Sequence, residues 1–301
     1  MYDLIIIGGG PGGLTAGIYA QRANLKTVLL EKMGIGGQIC MSDAIENYPG
    51  FKSINGIELM KLFEEQARGL GLEIKFAEVT RVHDKGTHKE VVTSEGVLSA
   101  KTVIVSTGAR PKRLGVPGEA EFIGRGVSFC ATCDGFFFKG REVAVIGGGD
   151  AALKEGLFLS KIVKKVHLVH RRDAFRAEKI TQDKVFSQPG MELHLNRVVE
   201  EVKGDVMGVQ GVVLSDTVTG EKEELKVDGV FVFVGISPNT DFIDVKKDDY
   251  GFIVTDRLLM TSTMGVFAVG DCRETPLRQV ATAVGDGALA AFEAHRFVES
   301  A

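Results

Sequence analysis

Residues 8–13 read Gly8-Gly9-Gly10-Pro11-Gly12-Gly13, and their flanks decide what they mean. Upstream, residues 3–7 are a continuous apolar run of strand length, the pattern of a strand buried on both faces. Downstream, residues 14–23 carry a helical pattern. A second β-branched run, residues 27–30, ends on Glu31, eighteen residues past Gly13. Strand, G-x-G-x-x-G, helix, strand and terminal acid make up a dinucleotide-binding βαβ unit. Each part has a physical task. Gly8 makes the tight turn, Gly10 lets the backbone approach a pyrophosphate, and Gly13 lets the helix lie close on the strand. The helix N-terminus turns free N–H groups and positive dipole toward the phosphates. Glu31 accepts hydrogen bonds from a ribose diol and repels a 2′-phosphate. A glycine-rich turn without a ligand is the plainer reading, and the register of strand, helix and acid argues against it.

The same construction recurs later in the chain. Residues 142–146 form a strand, Gly147-Gly148-Gly149-Asp150-Ala151-Ala152 the turn, residues 153–162 a helix and residues 165–169 the next strand. Ala152 replaces the third glycine, which helix–strand packing permits. The acid is missing from the second strand's tip, where His170-Arg171-Arg172 stand, with Arg176 shortly beyond. Arginine pairs most often form a solvated face. At the tip of a nucleotide-binding strand they instead suit charge-assisted bonds to the 2′-phosphate of NADP(H). Asp150 would repel a pyrophosphate it faced, so it either faces away or caps the helix.

Between these units and just upstream of the second lies Cys130-Ala131-Thr132-Cys133-Asp134. Alone, a C-x-x-C is half of a zinc site, a pair of packed thiols, or a redox dithiol whose neighbouring acid moves protons. The chain has four cysteines, the others being Cys40 and Cys272, too few for a disulfide scaffold in 301 residues. No second C-x-x-C or paired Cys/His motif supplies the rest of a zinc site. Cys40 and Cys272 match no redox position and read as structural thiols.

At 44% hydrophobic and 25% charged residues, with a net charge of −4, the composition is that of a globular protein. It lacks the basic excess expected for gripping nucleic acid or an anionic membrane. The N-terminus carries an acid where a signal peptide has basic residues, and its apolar run ends at once in glycines. No stretch is long enough to span a bilayer. The expectation is a cytoplasmic protein, consistent with a C-x-x-C in a reducing compartment.

The remaining chain is read as loops at residues 34–38 and 46–50, a helix at 56–70, and strands at 73–76, 90–93 and 102–105. A β-meander follows at 192–225, then a buried strand at 229–234, a strand at 265–271 and a helix at 278–298. Gln38 and Asn47 are either ordinary turn residues or amides that reach a ring system. Asp271 either caps a turn or holds a ribityl chain. Two nucleotide sites of opposite 2′ preference flanking a dithiol call for a carrier that accepts hydride and passes electrons to a disulfide, which a flavin does. The arginine-tipped site takes NADPH, leaving the Glu31 site for the ADP half of FAD.

With these motifs in place, the chain resembles the low-molecular-weight thioredoxin reductases of the class II pyridine nucleotide-disulfide oxidoreductase family. The resemblance covers nearly its whole length: the first G-x-G-x-x-G, C-A-T-C-D, G-G-G-D-A-A, H-R-R-x-x-x-R, and G-D followed by R-Q-x-x-T-A. It implies an α/β protein of two Rossmann-like three-layer ββα domains. The NADPH domain (residues 114–242) is inserted into a split FAD domain (1–113 and 243–301), with hinges near 113–117 and 240–245. Implied FAD contacts are Gly8, Gly10, Pro11, Gly13, Glu31, Gly37, Gln38, Asn47, Gly108, Gly270, Asp271, Arg278, Gln279 and Val280. Implied NADPH contacts are Gly147, Gly149, Asp150, Ala151, Ala152, His170, Arg171, Arg172 and Arg176. The implied chemistry passes electrons from NADPH through FAD to a Cys130–Cys133 disulfide, and from there to thioredoxin. Cys133 faces the flavin, Cys130 attacks the partner, and Asp134 is the proton donor and acceptor. Homodimerisation is a further implication. A departure from the family pattern such as Asp286 in the last helix lies outside the chemistry in this reading. A related flavin dithiol enzyme with another disulfide partner is the alternative.

Overall fold

The structure is a computed structural model that describes residues 1–42 and 45–300. The chain forms two compact units, Met1–Arg110 with Ser237–Ala301, and Pro111–Ile236. It passes between them at 110/111 and 236/237, a few residues before the positions expected from the prolines and the change in composition.

The first unit is built on one sheet in the order Glu73–Phe76, Thr27–Glu31, Tyr2–Ile7, Gly96–Val105, Lys89–Thr93, Val79–Asp84. The strand Gly96–Val105 changes partner along one edge. Its first half pairs antiparallel with Lys89–Thr93, whereas Val103 to Val105 pair in parallel with Val266–Ala268. That late strand returns the chain's C-terminal part to the sheet. Leu4 and Ile6 pack on one face, with Leu14, Ala16 and Ala290 from the helices Pro11–Arg22 and Val280–Ser300. Ile5 and Ile7 pack on the other, with Val28, Val103 and Val266. Burial of both faces explains why residues 3–7 show no alternation. The two helices cross so closely that a Cβ on Gly287 would stand 2.2 Å from the Gly12 carbonyl oxygen.

The second unit has a parallel sheet in the order Met191–Leu195, Lys165–His170, Glu142–Ile146, Gly229–Val232, Val127–Ser128. Val143, Val145 and Leu168 face the helix Asp150–Leu159 through Leu153. Ala144, Ile146 and Val169 face a three-stranded antiparallel sheet of Arg197–Asp205, Gly208–Asp216 and Lys222–Leu225. The result is a three-layer ββα unit. The expected meander at 192–225 is corrected in one respect: Met191–Leu195 belongs to the parallel sheet, and only the later strands form the meander. The helix Lys179–Phe186 and the strand Val79–Asp84 were not expected from the sequence. Both are short and polar, and much of their surface faces solvent. Among the described residues no helix is long and apolar enough to cross a membrane.

Candidate functional site

In the first unit, Gly8 has φ +107°, and a Cβ there would meet the Ser106 carbonyl oxygen at 2.4 Å. A Cβ on Gly13 would stand 1.9 Å from the Gly8 oxygen. Both glycines are therefore demanded by the fold. Gly10 is different: its Cβ would meet only the Gly36 oxygen, at 3.9 Å. Protein packing does not require glycine there, whereas a pyrophosphate resting on the backbone would. Pro11 opens the helix. Glu31 Oε2 accepts from Gly9 N at 2.7 Å and its Oε1 from Met33 N at 3.0 Å. The acid thus braces the turn and keeps lone pairs for a diol.

Around this turn the structure gathers the loop residues expected there. Gly36 N donates to the Gly9 oxygen at 2.8 Å, and Gly37 stands against Gly10. Gln38, in the short 3₁₀ turn Gly37–Met41, donates through Nε2 to the Ala109 carbonyl beside Gly108. Asn47 Nδ2 donates to Gln279 Oε1 at 2.9 Å, which joins two amides far apart in sequence. Val280 packs against the cluster of Ile45, Ile54, Leu59 and Met60.

Asp271 follows the strand Val266–Ala268 in the 3₁₀ turn Gly270–Cys272. Burial holds its carboxyl above the ordinary aspartate range, Arg278 pulls it back, and Asp286 pushes it up. The buried Nε of Arg278 has no hydrogen-bond partner among the described residues. Arg278 lies 4.2 Å over the Phe252 ring. An acceptor awaiting hydroxyl donors and a cation awaiting an acceptor fit a polyol–pyrophosphate ligand. Asp286, expected outside the chemistry, has a structural task instead. It accepts from Gly270 N at 3.0 Å and takes Arg273 through Nε at 2.7 Å and Nη2 at 3.1 Å, fixing the turn that presents Asp271. An acid sixteen residues downstream gives no local sign of this task.

Asp271 carries a pH-dependent prediction. A carboxyl raised by the fold keeps its proton where the unfolded chain has lost it. Stability therefore falls as pH rises from the ordinary aspartate value of 3.8 through the raised folded value, and the deficit persists at neutral pH. Asp271→Asn removes that deficit. The flavin-free variant should melt above the flavin-free parent at pH 7, with the gap closing near pH 4. Its FAD affinity should drop by about tenfold or more, the worth of a charged hydrogen bond. Melting curves with and without FAD test this, and equal curves in both states would remove Asp271 from the site.

In the second unit Gly147 has φ +151° and would collide with Ala152 and the Phe233 oxygen, while Gly149 faces open space. Ala152 is buried and Ala151 exposed. Asp150 Oδ1 accepts from Glu178 N at 3.1 Å, so it ties down the start of the helix Lys179–Phe186 instead of facing the turn. Residues 171–178 form a loop, with Arg176 N bonded to the Gly148 oxygen at 2.8 Å. Arg171, Arg172 and Arg176 are exposed and make no ion pair among the described residues. His170 lies over Gly148, where a Cβ would be 2.2 Å from its ring, and its buried Nε2 has no hydrogen-bond partner among the described residues. Burial lowers the His170 pKa; a hydrogen bond from the ring to the Ala174 backbone opposes this, and Arg176, Arg172 and Arg171 reinforce it. A neutral ring and three unpaired guanidiniums at one strand tip suit an anionic ligand.

Cys130 and Cys133 form a disulfide at the start of the helix Ala131–Asp134. Cys130 caps that helix, its Sγ accepting from Cys133 N at 3.2 Å. Ser128, not foreseen from the sequence, connects the group. Its hydroxyl donates to Asp134 Oδ2 at 2.5 Å and accepts from Cys130 N at 3.1 Å. No motif marks a serine at this spacing. Phe136 and Phe137, immediately after, are exposed. Cys272 is fully buried, donates to the Val269 oxygen at 3.2 Å, and is pushed up to about 11 by burial. Burial also raises Cys40. Neither has the thiolate character of a redox cysteine.

A family model for pyridine nucleotide-disulphide oxidoreductases matches residues 2–287. The chain is 44% identical over 301 residues to a thioredoxin reductase of Treponema pallidum, covering 99% of this chain and 98% of that one. It is 43% identical over 302 residues to a thioredoxin reductase of Bacillus subtilis, covering 99% and 95%. A solved thioredoxin reductase from Streptococcus pyogenes superposes with a TM-score of 0.96 at 41% identity, over 100% of this chain and 99% of that one.

Proposed function

The chain belongs to the pyridine nucleotide-disulphide oxidoreductase family, in its thioredoxin reductase branch, and on that premise we infer that it catalyses NADPH-dependent reduction of the thioredoxin disulfide. The observation that carries this reading is the Cys130–Cys133 disulfide, set in the same unit as an arginine-tipped dinucleotide turn. Pro111–Ile236 is the NADPH domain and the other unit the FAD domain. Bound flavin supplies the two-electron step between nicotinamide hydride and a disulfide.

The residues of the chain do the rest. Arg171, Arg172 and Arg176 hold the 2′-phosphate, and Gly149 admits the pyrophosphate. Glu31 would hold the ribose of the FAD adenosine, Gly10 would admit its pyrophosphate and Asp271 would accept from the ribityl hydroxyls. In the helix cap the Cys133 N–H is aimed at the Cys130 sulfur. That donor and the helix start favour the Cys130 thiolate, which suits Cys130 to attack the partner's disulfide. Cys133 then closes on Cys130 to release the reduced partner, and Asp134, braced by Ser128, takes and returns the proton. The homodimeric state follows the family resemblance, and a cytoplasmic site follows the need to keep a dithiol cycling.

Anaerobic titration tests the cofactor reading. The purified protein should be yellow, and two equivalents of NADPH, the electron count of a flavin plus the Cys130–Cys133 disulfide, should bleach the flavin band, which oxidised thioredoxin then restores. A folded, colourless protein that takes up no FAD would refute it.

A further inference from the structure

Three neighbouring parallel strands of Pro111–Ile236 carry polar groups on a face that is otherwise apolar core. In register, His167 lies beside Glu192, Val169 beside His194, and Lys165 beside Glu142. Alternation places Glu142, His167, Glu192 and His194 on the face where Val169 and Ala144 meet the antiparallel sheet. His167 is 4% exposed, so its polarity there calls for an explanation.

We propose that His167, His194 and Glu192 bind one divalent cation of the zinc class, with Glu142 orienting His167. His167 Nδ1 is 3.1 Å from His194 Nε2, and that nitrogen is 3.4 Å from Glu192 Oε1. One donor atom from each of the three residues lies within 4.8 Å of the others. Zinc bonds of about 2.0–2.1 Å in a tetrahedral site space the donors about 3.3 Å apart, close to this arrangement. The other nitrogen of His167 is 3.2 Å from Glu142 Oε2. A carboxylate accepting from the outer nitrogen of a ligating histidine is the partner that fixes tautomer and ring orientation.

Without metal, one proton on His194 Nε2 satisfies the histidine pair, and the cation takes that proton's place between the two nitrogens. Lys165 sits 2.8 Å from Glu192 Oε2, and Lys164 2.8 Å from Glu142 Oε1. Each engages the carboxylate oxygen turned from the histidines and leaves the facing oxygen available. Glu192 is exposed, which leaves a route for the ion and a position for water. Two imidazoles and one carboxylate suit zinc over calcium or magnesium. Glu142 begins its strand while Gly147 follows the strand's other end, so Glu142 marks the end of the site away from the dinucleotide turn, and His194, beside Val169, marks the end nearer to it.

The test is calorimetric titration of the oxidised, FAD-loaded protein with Zn²⁺, the closed Cys130–Cys133 disulfide keeping those sulfurs from binding metal. One equivalent should bind with a Kd of about 1 μM or below. His194→Gln and Glu192→Gln, at an intermediate and an exposed position, should each weaken binding about tenfold or more, the worth of losing one ligand. Glu142→Gln should weaken it about 10–100-fold. Zinc should raise the melting temperature of the parent and not of His194→Gln. Absence of a saturable site in the parent, or undiminished binding in His194→Gln and Glu192→Gln, overturns the proposal.

Discussion

Replacing Cys133 or Cys130 with serine should lower NADPH-driven thioredoxin reduction by about 10³-fold or more, the scale of removing a covalent nucleophile. Flavin reduction by NADPH should stay within about threefold of the parent, because neither sulfur contributes to either dinucleotide turn. Serine is isosteric and keeps the cap geometry of Cys130, so folding is not at issue. The two variants should also differ from each other. Cys133→Ser leaves the helix-capping Cys130 as a lone thiolate and should trap a mixed disulfide with oxidised thioredoxin. Cys130→Ser should trap far less, since Cys133 Sγ lacks that capping N–H. Stopped-flow absorbance and non-reducing electrophoresis read both effects. Retained turnover in either variant would refute the dithiol route, and equal trapping would refute the division of labour between the sulfurs.

The double substitution Arg171→Ala with Arg172→Ala should lower kcat/KM for NADPH by about 10²-fold or more and change that for NADH by less than about threefold. Each charge-assisted bond to phosphate is worth about 1.5–3 kcal/mol, or about one to two decades. Most of the loss should fall on KM, because the 2′-phosphate is remote from the reacting carbon and its binding is uniform along the reaction. Adding Arg176→Ala should deepen the loss, since its backbone is pinned to the Gly148 oxygen beside the dinucleotide turn. The expectation rests on three exposed guanidiniums with no acidic partner among the described residues, whereas Arg273 and Arg197 are both paired. Steady-state kinetics with both nucleotides decides it. Equal losses would make the cluster a solvated face.

Much of this was legible in the chain because it is local. A strand buried on both faces shows as an unbroken apolar run, as at residues 3–7. A dinucleotide turn shows as glycines at fixed spacing, because Gly8 takes a positive φ and a Cβ on Gly13 would strike the Gly8 oxygen within the same βαβ unit. The swap of Glu31 for His170-Arg171-Arg172 needs only a strand's end to be interpreted. Short polar elements such as Lys179–Phe186 lack that signal, since no apolar stripe marks them.

What folding alone decided are the contacts between distant segments. Asp286 reaches Gly270 and Arg273 because the last helix lies against the end of the sheet. Asn47 meets Gln279 across 232 positions. The strand order brings His167 beside His194 and Glu142. The glycine and arginine motifs state their chemistry in the spacing along one stretch of chain. A hydrogen bond between residues far apart depends on the register of strands and the crossing of helices, which no local pattern encodes.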